Sequence, residues 1–485
     1  MSIRVRIAPS PTGFLHIGNA RAGLFNYLLA KKAGGTFILR LEDTNQELYK
    51  TEFEQEIYES FKWLGLEADE SPERGGEYGP YRQSECGDLY KKYLLELLEQ
   101  GNAYYCFHSQ DELLQEREEH LGAKRTPLHV CEFRELGLSE AEELKKNKET
   151  YIIRFKTPHG EKLVFTDLVR GEVAFDSHLI GDFSIARNLD SALYHFAVVI
   201  DDERMKISHV IRGEDHIANT PKQMLLIKAL GFTLPQYAHL PLLLGPDRSK
   251  LSKRHGDTSV KDYREQGYLP EALLNFIALL GWNPGDDNEI LSKEELIEKF
   301  DIEQVQKSGA IVDVQKLDWM NGEYIRKKSS VELVSLCEPY LSDFLQFPIS
   351  NSQFSKEYIE KVIALEQPRL KKLSEIGEKT EFLFRQPEYD KELLKWKSMT
   401  DDELVESLNK SKEVLEKVKP EANQEELQKI FFEAIGTGDK GSILWPLRAA
   451  LSGRKASPGP FEILEVLGTK ESIKRIENAI AKLIP

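Results

Sequence analysis

Apolar and charged residues alternate over Ile3–Ile7, with Ile3, Val5 and Ile7 facing one way and Arg4 and Arg6 the other, the period of two that predicts a short strand. The period then changes. Ala22, Leu24, Phe25, Leu28 and Leu29 recur at helical spacing until Gly34-Gly35 ends the run. Thr36 to Leu41 reads as a second strand, closing on Arg40-Leu-Glu-Asp43. Phe53, Ile57, Phe61 and Leu64 make an apolar stripe, so Glu52 to Leu64 is an amphipathic helix. Ser71 to Tyr81 holds Pro72, Gly75-Gly76 and Gly79-Pro80 and reads as an exposed loop. Leu89, Tyr93, Leu94 and Leu97 predict another helix, capped by Gly101. Strand and helix in alternation argue for a parallel sheet with helices on its faces.

From about Ala103 the rhythm is different. Glu112 to Gly122 and Ser139 to Lys148 are short charged helices, and Ile152–Phe155, Leu163–Phe165 and Val173–Phe175 are short strands. This α+β stretch looks like an insertion that splits the nucleotide fold, which resumes with Tyr194 to Ile200. From Gly267 onward helices dominate, including Pro270 to Leu280, and beyond about Val331 one amphipathic helix follows another, such as Tyr358 to Glu366 and Asp402 to Lys417.

With 485 residues, at roughly 100–200 per domain, three or four packed units are expected. Hydrophobic content of 40% and charged content of 30% describe a globular protein with ample core. No apolar run approaches the ~18 residues of a membrane span, and the N-terminus reads as no signal peptide. Cys86, Cys106, Cys131 and Cys337 are too scattered for a disulfide framework, so the expected home is cytoplasmic and membrane-free. A net charge of −16 speaks against nucleic acid as a partner, but summed charge is a poor witness for a large chain. Arg326-Lys-Lys328, Arg369 with Lys371-Lys372, and Arg448 with Arg454-Lys455 are local basic clusters. On composition alone each is a solvated helix face.

The residues that carry chemistry lie between the first strand and the first helix. Ala8-Pro-Ser-Pro-Thr-Gly-Phe-Leu-His-Ile-Gly-Asn19 places His16, Gly18 and Asn19 where the helix opens. A helix N-terminus with free N–H groups seats phosphate, and Gly18 permits close approach. Far along the chain, Lys250-Leu-Ser-Lys-Arg254 follows the apolar segment Leu240–Leu244 as a basic loop. Singly, these are an ordinary corner and a surface charge run.

Together they resemble the paired signature of class I aminoacyl-tRNA synthetases. The wording Arg6-Ile-Ala-Pro-Ser-Pro-Thr-Gly, Leu39-Arg-Leu-Glu-Asp-Thr44, Val210-Ile-Arg-Gly-Glu-Asp-His216 and Leu251-Ser-Lys-Arg-His-Gly256 resembles the bacterial-type glutamyl-tRNA synthetases in particular, and the likeness runs on to Trp445–Leu451 and Ser457–Phe461. The resemblance implies a Rossmann-type α/β catalytic domain (1–102 and 191–250) split by an acceptor-stem-binding insertion (103–190). A helical stem-contact domain (251–330) and an all-α anticodon-binding region (331–485) follow. It implies a glutamate–tRNA ligase that takes ATP with Mg2+, L-glutamate and tRNA(Glu), acting as a monomer. His16 and Lys253 are then the catalytic donors, with Gly18, Asn19, Lys250 and Arg254 shaping the ATP site and Lys253 facing the leaving pyrophosphate. Many class I enzymes carry a second histidine where this chain has Asn19, and an amide can still donate.

A substrate with two carboxylates and one ammonium calls for two guanidinium anchors and an acid. By resemblance Arg6, Ser10, Glu42, Tyr194 and Arg212 form the glutamate pocket, with His216 beside the amino acid and adenylate. The segment Asn188–Leu193 departs from the family's Asp-Gly-x-Pro-Thr, which puts the wall near Tyr194 in doubt. Cys106, His108, His129 and Cys131 suit a closed tetrahedral zinc site; some family members bind structural Zn2+ here through Cys-x-Cys and Cys-x-His. This chain has Phe133 where the last histidine would align, so His129 must substitute, and scattered core and surface residues remain the alternative. Arg369 falls where family members that reject glutamine tRNA carry arginine. The alternatives are a relaxed enzyme that also charges tRNA(Gln), and a non-catalytic tRNA-binding homologue.

Overall fold

Strand β1 (Arg4–Ile7) leads into helix α1 (Ile17–Lys32) and on to β2 (Thr36–Leu39), which pairs with β1 in parallel, Val5 opposite Phe37 and Ile7 opposite Leu39. In this computed structural model the described residues are 2–44, 47–124, 126, 128–148, 150–256, 258–346, 354–420 and 422–484. Helix α1 buries residues on every side, among them Ile17, Ala20, Phe25 and Leu28. Gly23 is what lets α2 (Thr51–Trp63) approach it, because a Cβ there would lie 2.6 Å from the Phe61 ring.

After α3 (Gly87–Glu99) come β3 (Ala103–Cys106), α4 (Gln110–Gly122), α5 (Leu138–Asn147) and β4 (Ile152–Phe155). The hairpin β5 (Lys162–Asp167) and β6 (Gly171–Asp176) precedes β7 (Phe183–Asn188) and β8 (Ser191–Ala192). One antiparallel sheet has the order β3-β4-β7-β8. The sequence pattern does not predict β3 or β7; Ala103–Cys106 is buried on both faces and so shows no alternation. The chain continues through α6 (Tyr194–Arg204), β9 (His209–Gly213), α7 (Thr220–Ala229) and β10 (Gln236–Leu240). The second four-stranded sheet has the order β6-β5-β10-β9. Thus the β5–β6 hairpin, although within the inserted stretch, pairs in parallel with a strand of the nucleotide fold. Ser208 N–H donates to the Arg4 carbonyl at 2.9 Å and ties β1 to the head of β9.

Strands β11 (Leu243–Leu244) and β12 (Ala310–Ile311) pair in parallel, and between them lie α8 (Val260–Glu265), α9 (Pro270–Ala278) and α10 (Lys293–Lys299). These elements belong to a first unit, Met1–Arg264 with Pro270–Val314. The second unit, Glu265–Leu269 with Gln315–Pro485, contains only helical elements among its described residues. It takes most of α11 (Val314–Lys327), then α12 (Ser330–Leu345), α13 (Lys356–Glu366), α14 (Ile376–Phe384), α15 (Asp401–Glu416), α16 (Gln424–Ile435), α17 (Lys440–Ser452) and α18 (Pro460–Ala481). Capping boxes start α12, α15 and α16 at Ser329, Thr400 and Asn423. Leu404, Leu408, Leu447, Phe461 and Ile476 are buried together in the core of this unit. No described helix is long and apolar enough to cross a membrane.

Candidate active site

The C-terminal ends of β1, β9 and β10 open onto a cavity of about 550 Å³, where ligands bind in parallel α/β sheets. Arg6, Glu42, Tyr194, Arg212 and His216 line it, as do His16, Gly18, Asn19 and Lys250. Ser10 is exposed and Arg254 points elsewhere, donating to Ser249 Oγ at 2.7 Å, and neither lines the cavity. The side chain of Lys253 lies outside the described residues.

His16 is the N-cap of α1, and its Nδ1 accepts the Gly18 N–H at 3.0 Å. The first amides expected to face phosphate are therefore already bonded. Ile17 N–H donates to the Thr258 carbonyl, and Asn19 and Ala20 N–H donate to the His16 carbonyl. This corrects the expectation of free N–H groups: the distant segment at Thr258 and the cap itself consume them. What remains is the dipole end and the His16 Nε2–H, since an accepting Nδ1 leaves the ring proton on Nε2. Burial, with Lys250 second, lowers the His16 pKa and keeps the ring neutral. Lys250 itself is exposed and stands 3.6 Å from Asp215.

The two cavity arginines differ in their partners. Arg6 Nε and Nη2 both donate to Asp202, at 3.0 and 3.3 Å. Asp202 also takes Arg40 Nη1 at 2.7 Å, and Arg40 Nη2 reaches Glu42 at 3.2 Å. Burial alone would raise the Asp202 pKa, but Arg6 and Arg40 hold it down. Burial does raise that of Glu42, against Arg40 and Arg6. Among the described residues, Arg212 has no carboxylate within bonding distance. Its Nε donates to His239 Nε2 at 3.2 Å and its Nη2 to Thr220 Oγ1 at 2.9 Å, while the buried Nη1 has no hydrogen-bond partner among the described residues. Burial lowers its pKa. A buried guanidinium nitrogen without a partner, on a residue that lines the cavity, fits an incoming carboxylate.

Tyr194 Oη lies 3.0 Å from His216 Nδ1. Burial, then Arg212, brings the His216 pKa down to about 4, and burial with the Glu42 charge pushes Tyr194 up to about 12. Tyr194 thus donates to a neutral ring. The altered segment before it forms the β7–β8 hairpin and still delivers Tyr194 to the cavity.

Cys106, His108, His129 and Cys131 bring their ligand atoms within 4.8 Å of one another. Cys106 Sγ is 3.5 Å from both His108 Nδ1 and His129 Nε2, and Cys131 Sγ is 3.8 Å from His108 Nδ1. His129 Nδ1 is bonded to the Glu116 carboxylate, and Phe133 packs edge-on against His108. In the second unit, Arg369 closes the 3₁₀ turn Gln367–Arg369, donating to the Leu365 carbonyl at 2.7 Å and to Glu462 at 3.1 Å.

Sequence reasoning missed Asp202, Arg40, His239, Asp167 and Thr220. The one available signal was the pair Asp201-Asp202, two acids that continue a buried apolar helix from Phe196 to Ile200. Nothing marks His239 in the sequence, because its partners come from β5 and β9.

A nucleotide fold that puts a histidine-capped helix, a basic loop and two arginines around one cavity is that of a class I aminoacyl-tRNA synthetase. Residues 2–319 match the family described as tRNA synthetases class I (E and Q), catalytic domain, and residues 332–480 match an anticodon binding domain. The chain is 45% identical to glutamate–tRNA ligase 1 of Caldicellulosiruptor saccharolyticus, over 98% of this chain and 99% of that one. It is 44% identical to the glutamate–tRNA ligase of Carboxydothermus hydrogenoformans, over 98% and 99%. The crystal structure of a glutamate tRNA ligase from Elizabethkingia meningosepticum in complex with its amino acid superimposes with a TM-score of 0.90, at 34% identity and full coverage of both chains. The chain belongs to the glutamate–tRNA ligase family.

Proposed function

We propose that this chain carries out glutamate–tRNA ligation with the residues of the cavity described above. A glutamate carboxylate oxygen attacks the α-phosphorus of ATP, and the bond to pyrophosphate breaks. A hydroxyl at the 3′ end of tRNA(Glu) then attacks the activated carbonyl, and AMP leaves. The observation that carries this reading is Arg212, a buried guanidinium with an unpaired Nη1 on the same cavity as the His16 cap. Arg212 and Arg6 take the substrate carboxylates, Glu42 and Tyr194 its ammonium side, and His216 lies by the adenylate. His16 Nε2–H donates to the phosphate as charge develops, with Asn19, Gly18 and Lys250 around it; Lys253 meets the pyrophosphate, and ATP brings Mg2+. Ser10 and Arg254 lie outside the cavity lining and act at its rim.

The test is Arg212→Ala. Leaving a buried carboxylate without its partner costs roughly 2–5 kcal/mol, so the glutamate KM should rise about thirtyfold or more. The ATP KM should move far less. An equal rise in both, or none, refutes the assignment.

The reading extends to three further parts. Residues 103–190 hold the acceptor end of the tRNA, residues 331–485 take its anticodon, and Arg369 reads one anticodon base. Structural Zn2+ is held by Cys106, His108, His129 and Cys131. Zn–S of ~2.3 Å and Zn–N of ~2.0–2.1 Å at the tetrahedral angle give S···N edges of about 3.5 Å, which the two Cys106 separations match. Cys131 Sγ at 3.8 Å from His108 and a spread of up to 4.8 Å are wider and would have to close on the ion. Glu116 on His129 Nδ1 is the outer carboxylate that such a ligand commonly has. The ion would cross-link the two ends of the segment 106–131 without taking part in the reaction.

A further inference from the structure

Three neighbouring strands carry three polar residues into contact, with Asp167 opposite Tyr237 and two residues short of His239 along the strand. Strand β10 lies between β5 and β9, and His239 is the register partner of Arg212. His239 Nδ1 lies 2.6 Å from Asp167 Oδ2, and both side chains are fully buried at 0% exposure. A carboxylate can only accept, so the ring proton is on Nδ1 and Nε2 is an acceptor. That acceptor receives Arg212 Nε–H at 3.2 Å. Asp167 is fixed in turn by backbone N–H groups of Val169 at 2.9 Å, Arg170 at 2.8 Å and His239 at 3.2 Å, all on Oδ1. Thr220 Oγ1 holds the other end of the same guanidinium edge.

We propose that Asp167 and His239 are positioning residues that present the Arg212 guanidinium to a substrate carboxylate. The arrangement occupies Nε and Nη2 and leaves the buried Nη1, on a residue that lines the cavity, without a partner among the described residues. It also answers an electrostatic problem. A carboxylate bonded directly to the Arg212 guanidinium would compete with the substrate for the cation. Placing the acid one imidazole away orients and partly compensates the buried charge while keeping the guanidinium available. The inference rests on the glutamate reading of the cavity.

Asp167→Asn tests it. The amide oxygen can keep the three backbone N–H groups, which turns the NH2 toward His239 Nδ1. The ring must then accept there and carry its proton on Nε2, opposing Arg212 Nε–H. The glutamate KM should rise about ten- to a hundredfold, the loss of one hydrogen bond to a charged group, with the ATP KM moved less than about threefold. A second pair of variants keeps the test sound should Asp167→Asn fail to fold. His239→Gln retains an oxygen that can accept from Arg212 and should stay within about threefold of wild type, whereas His239→Leu should show the full rise in glutamate KM. Equal glutamate KM values for Gln and Leu, or equal changes in the glutamate and ATP constants, overturn the relay. Arg212→Ala separates the two failures. If it leaves the glutamate KM unchanged, the pocket reading falls; if it raises that KM while Asp167→Asn does not, the relay alone falls.

Discussion

Arg6 and Arg212 line one cavity under opposite electrical conditions. Arg6 belongs to a closed network with Asp202, Arg40 and Glu42, whereas the side-chain hydrogen-bond partners described for Arg212, His239 and Thr220, are neutral. The histidines around Arg212 register that difference. Burial, then the Lys222 and Arg212 charges, lowers His195 to about 4, and burial, then Arg212, lowers His216 to about 4. An unfolded histidine titrates near ~6.5, so between about pH 6.5 and pH 4 the unfolded chain binds protons that the folded one refuses. Stability from these groups is therefore complete above ~6.5 and falls as pH drops through that window. Each should cost about 1–2 kcal/mol by pH 5. The urea midpoint should drop between pH 7 and pH 5, and His195→Gln should flatten that drop. An equally steep fall in the variant would place the acid sensitivity elsewhere. At this scale the sequence was a partial guide. Residue types and spacing pointed to Arg6, Arg212 and His16, but not to what each one bonds, because Asp202, His239 and Thr258 arrive from a remote helix, strand and loop.

The N-terminus of α1 joins two jobs in one side chain. His16 Nδ1 caps the helix through Gly18 N–H, and this same bond leaves Nε2–H to donate. The jobs can be separated. His16→Asn should keep the cap and His16→Ala should lose it, at about 0.5–2 kcal/mol of stability. Both should lose the transition-state donor, lowering kcat by about a hundredfold or more. If His16→Asn kept near wild-type charging, the helix end would suffice and the donor role would be wrong. The insertion offers a second test at the level of elements. Protein purified without chelator should carry about one zinc per chain by elemental analysis, and chelation should lower the melting temperature; less than about a tenth of an equivalent retires the site. Helices were legible to within one or two residues wherever an apolar stripe is exposed on its far side, as in α2, α13 and α15. Strands that are buried on both faces carry no such stripe, and β3 shows why they escape notice. Nor does any local pattern say that the β5–β6 hairpin pairs with β10, since strand partners are chosen by the tertiary fold.

Taken as a whole, an acidic molecule of net charge −16 has to recognise a polyanion through a few local contacts. Charge complementarity summed over the surface cannot select one tRNA over another, so discrimination must come from base edges. Glutamate and glutamine anticodons differ at their third base, C against G. On its pairing edge C presents two adjacent acceptors, N3 and O2, which a two-pronged guanidinium can satisfy. The matching part of G presents donors on a larger ring, so an arginine there meets donors with donors. Unstacked loop bases are read on this edge. Arg369 has the preparation such a role needs: its Nη1 is tied to the Leu365 carbonyl and its Nη2 to Glu462, a residue itself fixed by accepting the Gly459 N–H at 2.6 Å as part of the cap of α18. Two anchored nitrogens hold the plane of the guanidinium at the surface of the helical unit. Arg369→Gln removes that fork and supplies an amide that can both donate and accept. A bidentate contact is worth ~1–3 kcal/mol of discrimination, so the wild type should prefer tRNA(Glu) and the variant should shift the charging ratio toward tRNA(Gln) by about five- to a hundredfold. Parallel charging of the two tRNAs by both proteins decides it: an unchanged ratio, or a wild type that charges both equally, leaves Arg369 a surface ion pair with Glu462 and nothing more.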